Sequence, residues 1–537
     1  MNAMEPLSGV DNQGNGRQLD CLLAKSSPQV LLATHCSEVG RMGQALLRSP
    51  CYRRVANQLA AAMATEGESA VLAWVGFLLA AHDVGKATPW FQLRLPDANA
   101  RLAKAALPWV ECGTEKAQHE FVSQVDLRIF LHAHHGWGRR AARDVSSAIG
   151  SHHGRRLAAN RQWPDDGIWR AVRHRLLTRL WTEFDPPAWC PAQFEDSSAV
   201  GLLLSGLLIL SDWLASTERF RNPRTGAIDP MAVLTDLGLD RTLPCSSVSF
   251  ETVWPDLGTP RSVQATVGEL CKRHPEPGLW IIEAPTGQGK TEAAIHRAVC
   301  WQHDLGLKGF YLALPTVATS NQMYDRVANW RRDFAQAEPT AVRLVHGMSW
   351  MIDDQTPEDA KAHEANNEIP EKHIWFRPSR RALLAPFAVG TVDQAMLAAM
   401  HVRFGVLRFL GLAASTLIID EIHAYDAYMA TILHRLLRWA GMLRIPVILL
   451  SATLPRQAKA SLIEAYTISE PLPQELPDAY PAVTIAQLDH RPIVACVPES
   501  DPPPVCKISL HDGMLEDHDE IARLAIREAH RGQCVCV

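Results

Sequence analysis

From about residue 20 to residue 220 the apolar positions recur at three- and four-residue spacing, with Ala, Leu and Arg abundant and few β-branched runs. That period belongs to helices burying one face, so this half is predicted to be all-α. Two stretches are apolar on every face, VLAWVGFLLAA from Val71 and VGLLLSGLLIL from Val200, and each meets an acidic residue within two positions. Both are too short to cross a bilayer and are predicted to be buried helices. The turn-rich NPRTGAIDP (Asn222 to Pro230) closes this region, and a weakly patterned connector runs to about Pro255. Beyond it the texture changes. Short apolar runs (LWIIEA, GFYLALP, FAVGT, STLIIDE, IPVILLSAT) alternate with helical stretches such as KTEAAIHRAVCW. Strands apolar on both faces and alternating with helices predict a parallel α/β sheet. Residues 466–506 are proline-rich and read as a linker or long loop. From His518 an amphipathic helix leads to QCVCV, which looks like the first strand of another α/β unit. The expected organisation is therefore multidomain: an all-α domain over 1–235, a connector over 236–255, an α/β domain over 256–460, and a linker with an incomplete further α/β unit over 461–537.

Composition changes this picture little. The 537 residues are 47% hydrophobic and 21% charged, enough apolar material for several cores. A net charge of −5 excludes a protein coated in positive charge, so a nucleic acid would have to bind in a local groove. Twelve cysteines with no CxxC pair fit a reducing cytosol. The start, MNAMEPLSGVDNQGNG, lacks the pattern of a signal peptide. The expectation is a soluble, cytoplasmic protein with no membrane partner.

Candidate chemistry begins where the strand Leu279 to Glu283 runs into Ala284-Pro285-Thr286-Gly287-Gln288-Gly289-Lys290-Thr291 and then a helix. Phosphates need backbone N–H donors at close range, and glycines let a loop wrap around them. The helix N-terminus adds its dipole, Lys290 a charge for the β/γ-phosphates, and Thr291 a hydroxyl for Mg²⁺. Asp420-Glu421-Ile422-His423 follows the apolar Leu417-Ile418-Ile419, 130 residues after Lys290. There Asp420 would hold Mg²⁺ and Glu421 would orient or deprotonate the attacking water of ATP hydrolysis. Ser451-Ala452-Thr453 ends another apolar strand.

Together these motifs resemble those of superfamily 2 helicases, as do Ala313-Leu314-Pro315-Thr316 and Gly390-Thr391-Val392-Asp393-Gln394. The resemblance implies RecA-like domains, an adenine-reading role for Gln264, nucleic-acid backbone contacts at Thr316, Thr391 and Gln394, and coupling of hydrolysis to movement by Ser451, Ala452 and Thr453. In that family ATP closes between two RecA-like domains, the second supplying arginine fingers from late motifs. The chain ends before those motifs could occur, so efficient ATP turnover by this polypeptide alone is not expected.

The helical half carries Ala81-His82-Asp83-Val84-Gly85-Lys86, in which adjacent His and Asp can face a metal, Asp can bridge two cations, and Lys86 can hold a phosphate oxygen. His35, His119 and Asp212 lie on other helical stretches, and Asp212 at the end of a very apolar run is too costly to bury unpaired. His-His-Gly occurs twice, at His134-His135-Gly136 and His152-His153-Gly154. The copies are 18 residues apart, which an unbroken helix would place on one face, but Gly136-Trp137-Gly138 argues against such a helix. The second copy leaves room for a helix after His119 and is preferred as a ligand pair, with His134/His135 the alternative. Arg139, Arg140, Arg143, Arg155, Arg156, Arg161, Arg170, Arg173, Arg175 and Arg179, with Trp163 and Trp169 among them, would suit a single strand of nucleic acid.

The order His…His-Asp…His…His-His…Asp resembles the HD superfamily of metal-dependent phosphohydrolases. An HD-type site ahead of a superfamily 2 core resembles the CRISPR-associated helicase-nuclease of type I systems, most of all its E subtype. The resemblance implies that His35, His82, Asp83 and Asp212 hold one metal and that Asp83, His119, His152 and His153 hold a second. The metals would be transition ions such as Mn, Fe, Co or Ni, with ATP and Mg in the helicase half. It further implies cleavage of single-stranded DNA with Asp83 and Lys86 in the chemistry, 3′–5′ translocation, and recruitment by an RNA-guided surveillance complex. Two other readings stand beside it: an HD phosphohydrolase acting on small nucleotides, and a truncated protein that binds DNA or the complex without motor activity.

Overall fold

The computed structural model describes residues 18–63, 67–108, 118–154, 167–188, 197–240, 248–335, 342–345, 375–376, 381–400, 402–469, 476–498, 509–510, 513–532 and 535. The chain divides into two units, Met1–Pro498 and Glu499–Val537. A short hairpin, β1 (Leu23–Ser26) and β2 (Gln29–Leu31), leads into the helical half. Its principal helices are α1 (Leu32–Arg48), α2 (Glu68–Ala80), α3 (His119–Ile129), α4 (Arg139–Ile149), α5 (Gly167–Phe184) and α6 (Ser197–Ser216).

The two all-apolar stretches become α2 and α6, and their lack of a polar face follows from their surroundings. α2 packs against α1 and α5. α6 lies against α1 and α4 on its own side and against α11 (Gly405–Ala413) of the following half. By length and composition Ala199–Ser216 could cross a membrane, but 72% of it is buried inside the protein. The acidic residue that ends each run, Asp83 and Asp212, is thereby delivered to the edge of the helical core.

The second half is built on a sheet of order β10-β9-β3-β8-β7-β4-β6-β5. Its strands are β3 (Leu279–Glu283), β4 (Gly309–Leu314), β5 (Val342–Val345), β6 (Phe387–Thr391), β7 (Ser415–Ile419), β8 (Val447–Ser451), β9 (Ala482–Gln487) and β10 (His490–Cys496). β3 to β8 pair in parallel, and every residue of β3, β4, β6, β7 and β8 is buried, as strands covered on both faces require. The intervening helices include α7 (Ser262–Arg273), α8 (Lys290–Leu305), α9 (Val317–Ala335), α10 (Val392–Ala399), α12 (Ala427–Met442) and α13 (Arg456–Thr467).

One expectation changes here. Residues 482–496 fall within the stretch expected to be a linker or long loop, yet they form an antiparallel hairpin whose β9 pairs with β3 and extends the same sheet. The exposed backbone edge of β3 needs a partner, and AVTIAQ supplies one with an almost fully buried strand. In the second unit α14 (His518–His530) is the amphipathic helix expected there, while of QCVCV only Val535 is described. The motif residues Ala284, Thr316, Thr391, Asp420 and Ser451 sit at or just beyond the carboxyl ends of parallel strands, where α/β sheets place ligands.

Candidate functional site

Six side chains from five elements converge on Asp83. His35 comes from α1, His82 and Asp83 from the tight turn Ala81–Lys86 that ends α2, His119 from the first turn of α3, His152 and His153 from the turn after α4, and Asp212 from α6. Gly85 makes the approach possible. A Cβ there would lie 2.0 Å from the His119 carbonyl oxygen, and the Gly85 N–H donates to Ser123 Oγ at 2.8 Å, so α3 rests directly on the turn. The two oxygens of the Asp83 carboxylate then face different partners. Oδ2 lies 3.2 Å from His35 Nε2, 3.2 Å from His82 Nε2 and 2.5 Å from Lys86 Nζ. Oδ1 lies 3.4 Å from His119 Nε2 and 3.6 Å from His152 Nε2. Asp212 Oδ1 lies 3.3 Å from His35 Nε2, and His153 Nε2 lies 3.1 Å from His119 Nε2.

The protonation pattern suits metal ligation. His82 and His152 each donate Nδ1–H to a backbone carbonyl, of Leu79 at 2.8 Å and Ile149 at 3.1 Å, which leaves the lone pair on Nε2 pointing at Asp83. His35 Nε2, His82 Nε2, His152 Nε2 and Asp83 Oδ1 are all buried without a hydrogen-bond partner. A cluster of orphaned lone pairs is expensive unless a cation gathers them, and the donor set of imidazoles and carboxylates fits divalent transition ions. Two triads, His35/His82/Asp212 and His119/His152/His153, each bring their ligand atoms within 4.8 Å of one another, with Asp83 between them. Burial raises the Asp83 carboxyl, but the His82 imidazole, the Lys86 ammonium and His35 outweigh it and hold it well below the usual carboxylate range. Burial lowers His119 and His152, keeping both neutral. His119 and Asp212 are partly exposed and open the site to solvent.

At the other centre the loop after β3 turns through Gly287 and Gly289, at φ +82° and +81°, into α8. A cleft of about 420 Å³ is lined by Gln264, Thr286, Gly287, Gly289, Lys290, Thr291, Asp420 and Glu421. Gln288 lies in the same loop. Lys290 Nζ donates to the carbonyls of Ala284 at 2.8 Å and Pro285 at 3.2 Å, so its charge sits inside the loop. Gln264 donates to the Gly289 carbonyl at 3.3 Å and accepts from Arg261 N at 2.9 Å, which pins it against the loop. Burial, with Glu421 beside it, pushes Asp420 up to about 6. Ser451 Oγ lies 3.3 Å from His423 Nδ1 and donates to the Thr453 carbonyl at 2.7 Å, linking the 451–453 turn to the 420–423 turn.

Comparison with known families matches residues 23–221 to the Cas3 HD domain and residues 263–461 to the DEAD/DEAH box helicases. The chain joins a Cas3 HD domain to a DEAD/DEAH-box helicase domain. Thermus thermophilus CRISPR-associated endonuclease/helicase Cas3 is 31% identical over 444 residues, 78% of this chain and 48% of that protein. The crystal structure of T. fusca Cas3 with AMPPNP superposes with a TM-score of 0.77 at 26% identity, over 94% of this chain and 60% of that one. A chain in a structure of a CRISPR RNA-guided surveillance complex before nicking is 25% identical, with a TM-score of 0.64 over 89% of this chain and 53% of that one. This chain thus spans about half the length of the curated relative it matches.

Within the HD domain the two His-His-Gly copies are separated by the fold. His152 and His153 reach the cluster around Asp83, whereas the first copy does not. His134 is exposed with Nε2 3.1 Å from His174 Nε2, and His135 stacks on Trp181 at 3.6 Å between ring centroids. The arginine stripe also differs from expectation. Arg173 is buried against Asp126, and Trp169 is buried in the core. Arg139, Arg140, Arg143, Arg170 and Arg179 are exposed and Arg175 is half-buried, while Arg155, Arg156, Arg161 and Trp163 lie outside the described residues. In the helicase domain Thr316 is exposed and its hydroxyl accepts from Thr319 N. Thr391 and Gln394 are instead buried, Thr391 preceding α10 with no capping bond from its hydroxyl and Gln394 accepting from Arg408 at 3.2 Å. Sequence reasoning missed Glu120, whose carboxylate lies 3.2 Å from His119 Nδ1, and Arg403, which donates to the His153 carbonyl at 3.1 Å. Adjacency to His119 was the available signal for Glu120; nothing local marks Arg403.

Proposed function

We propose that this chain is a metal-dependent DNA nuclease joined to an ATP-driven helicase motor, acting on target DNA handed over by an RNA-guided surveillance complex of a type I CRISPR system. The observation that carries the nuclease reading is the Asp83 carboxylate set between two triads with orphaned, buried lone pairs. His35, His82 and Asp212 would hold one divalent ion and His119, His152 and His153 another, with Asp83 shared; Mn, Fe, Co and Ni suit this donor set. Bound there, such a pair supplies Lewis acidity and an activated water for phosphodiester hydrolysis. The protein's own part is to fix the His82 and His152 imidazoles from behind by backbone carbonyls, and to place the Lys86 ammonium beside Asp83, where it can meet a phosphate oxygen. The cleft at Lys290 would take ATP with Mg²⁺, and Thr316 would meet the DNA backbone as the motor draws single-stranded DNA 3′ to 5′.

The test is cleavage of single-stranded DNA with Mn²⁺, Co²⁺ or Ni²⁺ supplied, with and without ATP. Wild type should cleave without ATP, and Asp83→Ala should lose cleavage while keeping ATP binding. Metal-dependent cleavage surviving in Asp83→Ala overturns the nuclease assignment.

A further inference from the structure

A second set of metal-ligand side chains lies outside both sites. Cys271 on α7 and His296 and Cys300 on α8 meet in the interior of the helicase domain, all three buried. His296 and Cys300 are four residues apart and so share one face of α8, and α7 packs against α8 and brings Cys271 to that face. Their ligand atoms lie within 4.8 Å of one another. Zn–S bonds of about 2.3 Å and Zn–N bonds of about 2.0 Å set tetrahedral ligand atoms ~4 Å apart, so little movement separates this cluster from a coordination shell.

The histidine keeps a free lone pair. Its Nε2 lies 3.1 Å from the Val248 carbonyl oxygen, which can only accept, so Nε2 carries the proton and Nδ1 the lone pair. Nδ1 is buried with no partner. One nitrogen fixed by a backbone carbonyl and the other left free is the usual state of a metal-binding imidazole. Burial also lowers the basicity of His296, keeping the ring neutral.

An independent observation concerns charge. The Arg297 guanidinium is buried between the rings of Trp280 at 4.3 Å and Trp301 at 3.9 Å and donates to the His274 carbonyl at 2.6 Å. Among the described residues no carboxylate pairs with it, and its first electrostatic partners are Cys271 and Cys300. A buried cation calls for anionic neighbours, and thiolates supply them.

We propose that Cys271, His296 and Cys300 bind a zinc ion that braces α7 against the P-loop helix α8. Two thiolates and a neutral imidazole select a soft or borderline cation over Mg²⁺ or Ca²⁺, and they fill three of the four positions of a tetrahedral site. Because α7 carries Gln264 and α8 begins at Lys290, the ion would stiffen the wall of the nucleotide cleft.

Cobalt reports on this site separately from the HD centre, because only thiolate ligands give an intense sulfur-to-cobalt charge-transfer band. The full chain, stripped with a chelator, is titrated with Co²⁺ and then with Zn²⁺. The expected result is a thiolate band that saturates as Co²⁺ is added and is displaced by zinc. It should be absent in Cys271→Ser and Cys300→Ser and retained in Cys36→Ser, the buried cysteine on α1 of the HD domain. No band in wild type, a band surviving in Cys271→Ser, or a band lost only in Cys36→Ser overturns the proposal. Should the serine variants fail to fold, zinc-loaded Asp83→Ala titrated with a thiol-blocking mercurial must release a single equivalent of zinc. Release of none, or a Cys271–Cys300 disulfide found by mass spectrometry, overturns it.

Discussion

Gly85 is the residue on which the HD site's geometry turns. Any side chain there meets the His119 carbonyl at 2.0 Å, so α3 must move away and take His119 with it. Gly85→Ala should cost about 1–3 kcal/mol in denaturant unfolding, as overpacking usually does, and should weaken metal binding, read by calorimetry with Mn²⁺. The two histidine pairs give a matched comparison at the same scale. Replacing His152 and His153 by Ala should remove bound metal, whereas replacing His134 and His135 should leave the metal count unchanged by elemental analysis. Metal loss only in the second variant would reverse the ligand assignment.

Lys308 supplies a pH-dependent prediction. Its ammonium is fully buried, donates to the Leu383 carbonyl at 2.6 Å, and is pushed down to about 7 by burial. The unfolded chain keeps that lysine protonated up to its ordinary value of 10.5, so between those limits the unfolded state binds more protons than the folded one. Stability from this group therefore rises with pH from about 7 toward 10.5 and is lowest below 7. Lys308→Met should flatten that part of the melting-temperature profile; an unchanged slope in the variant would show that Lys308 is not its source.

Among the elements, α6 does two jobs. It carries Asp212 into the HD site, and its outer face is covered by α11 of the helicase domain. A Cβ on Gly206 would lie 2.9 Å from the Val406 carbonyl oxygen and 3.0 Å from Leu410 Cβ, so the two helices approach almost backbone to backbone. Gly206→Val should lower the unfolding free energy by about 1–3 kcal/mol, measured in urea. The same boundary brings Arg403, four residues past the end of α10, onto the carbonyl of His153.

For the molecule as a whole, the cluster around Asp83 lies in the HD domain and the cleft at Lys290 in the helicase domain, each built from its own side chains. Lys290→Ala should abolish ATP binding in a fluorescent-nucleotide assay yet spare metal-dependent nicking of single-stranded DNA. Loss of nicking in that variant would mean that the nucleotide cleft must be intact for the HD site to act.

The chemistry-bearing motifs were legible in the chain alone because each is local. A phosphate loop needs its glycines, lysine and threonine consecutively, and a buried parallel strand is a short unbroken apolar run. The side chains around Asp83 were legible as residue types, since an aspartate ending an all-apolar helix demands a partner. What local pattern could not decide was pairing across distance. Which His-His-Gly meets Asp83 depends on how α3 packs on the turn at Gly85 and how α4 packs on α3 at Gly150. The hairpin at 482–496 is hidden by its setting, because prolines flank it on both sides (Pro471, Pro473, Pro477 and Pro481 before it, Pro498 and Pro502 after it), while its partner, the open edge of β3, lies some two hundred residues earlier. Thr391 and Gln394 kept their motif but lie beneath the surface, because exposure is set by the packing of α10 and α11 and leaves no trace in a five-residue pattern. Residue identity set the chemistry available, and only the tertiary fold, through contacts between remote segments, decided which of those residues share a site.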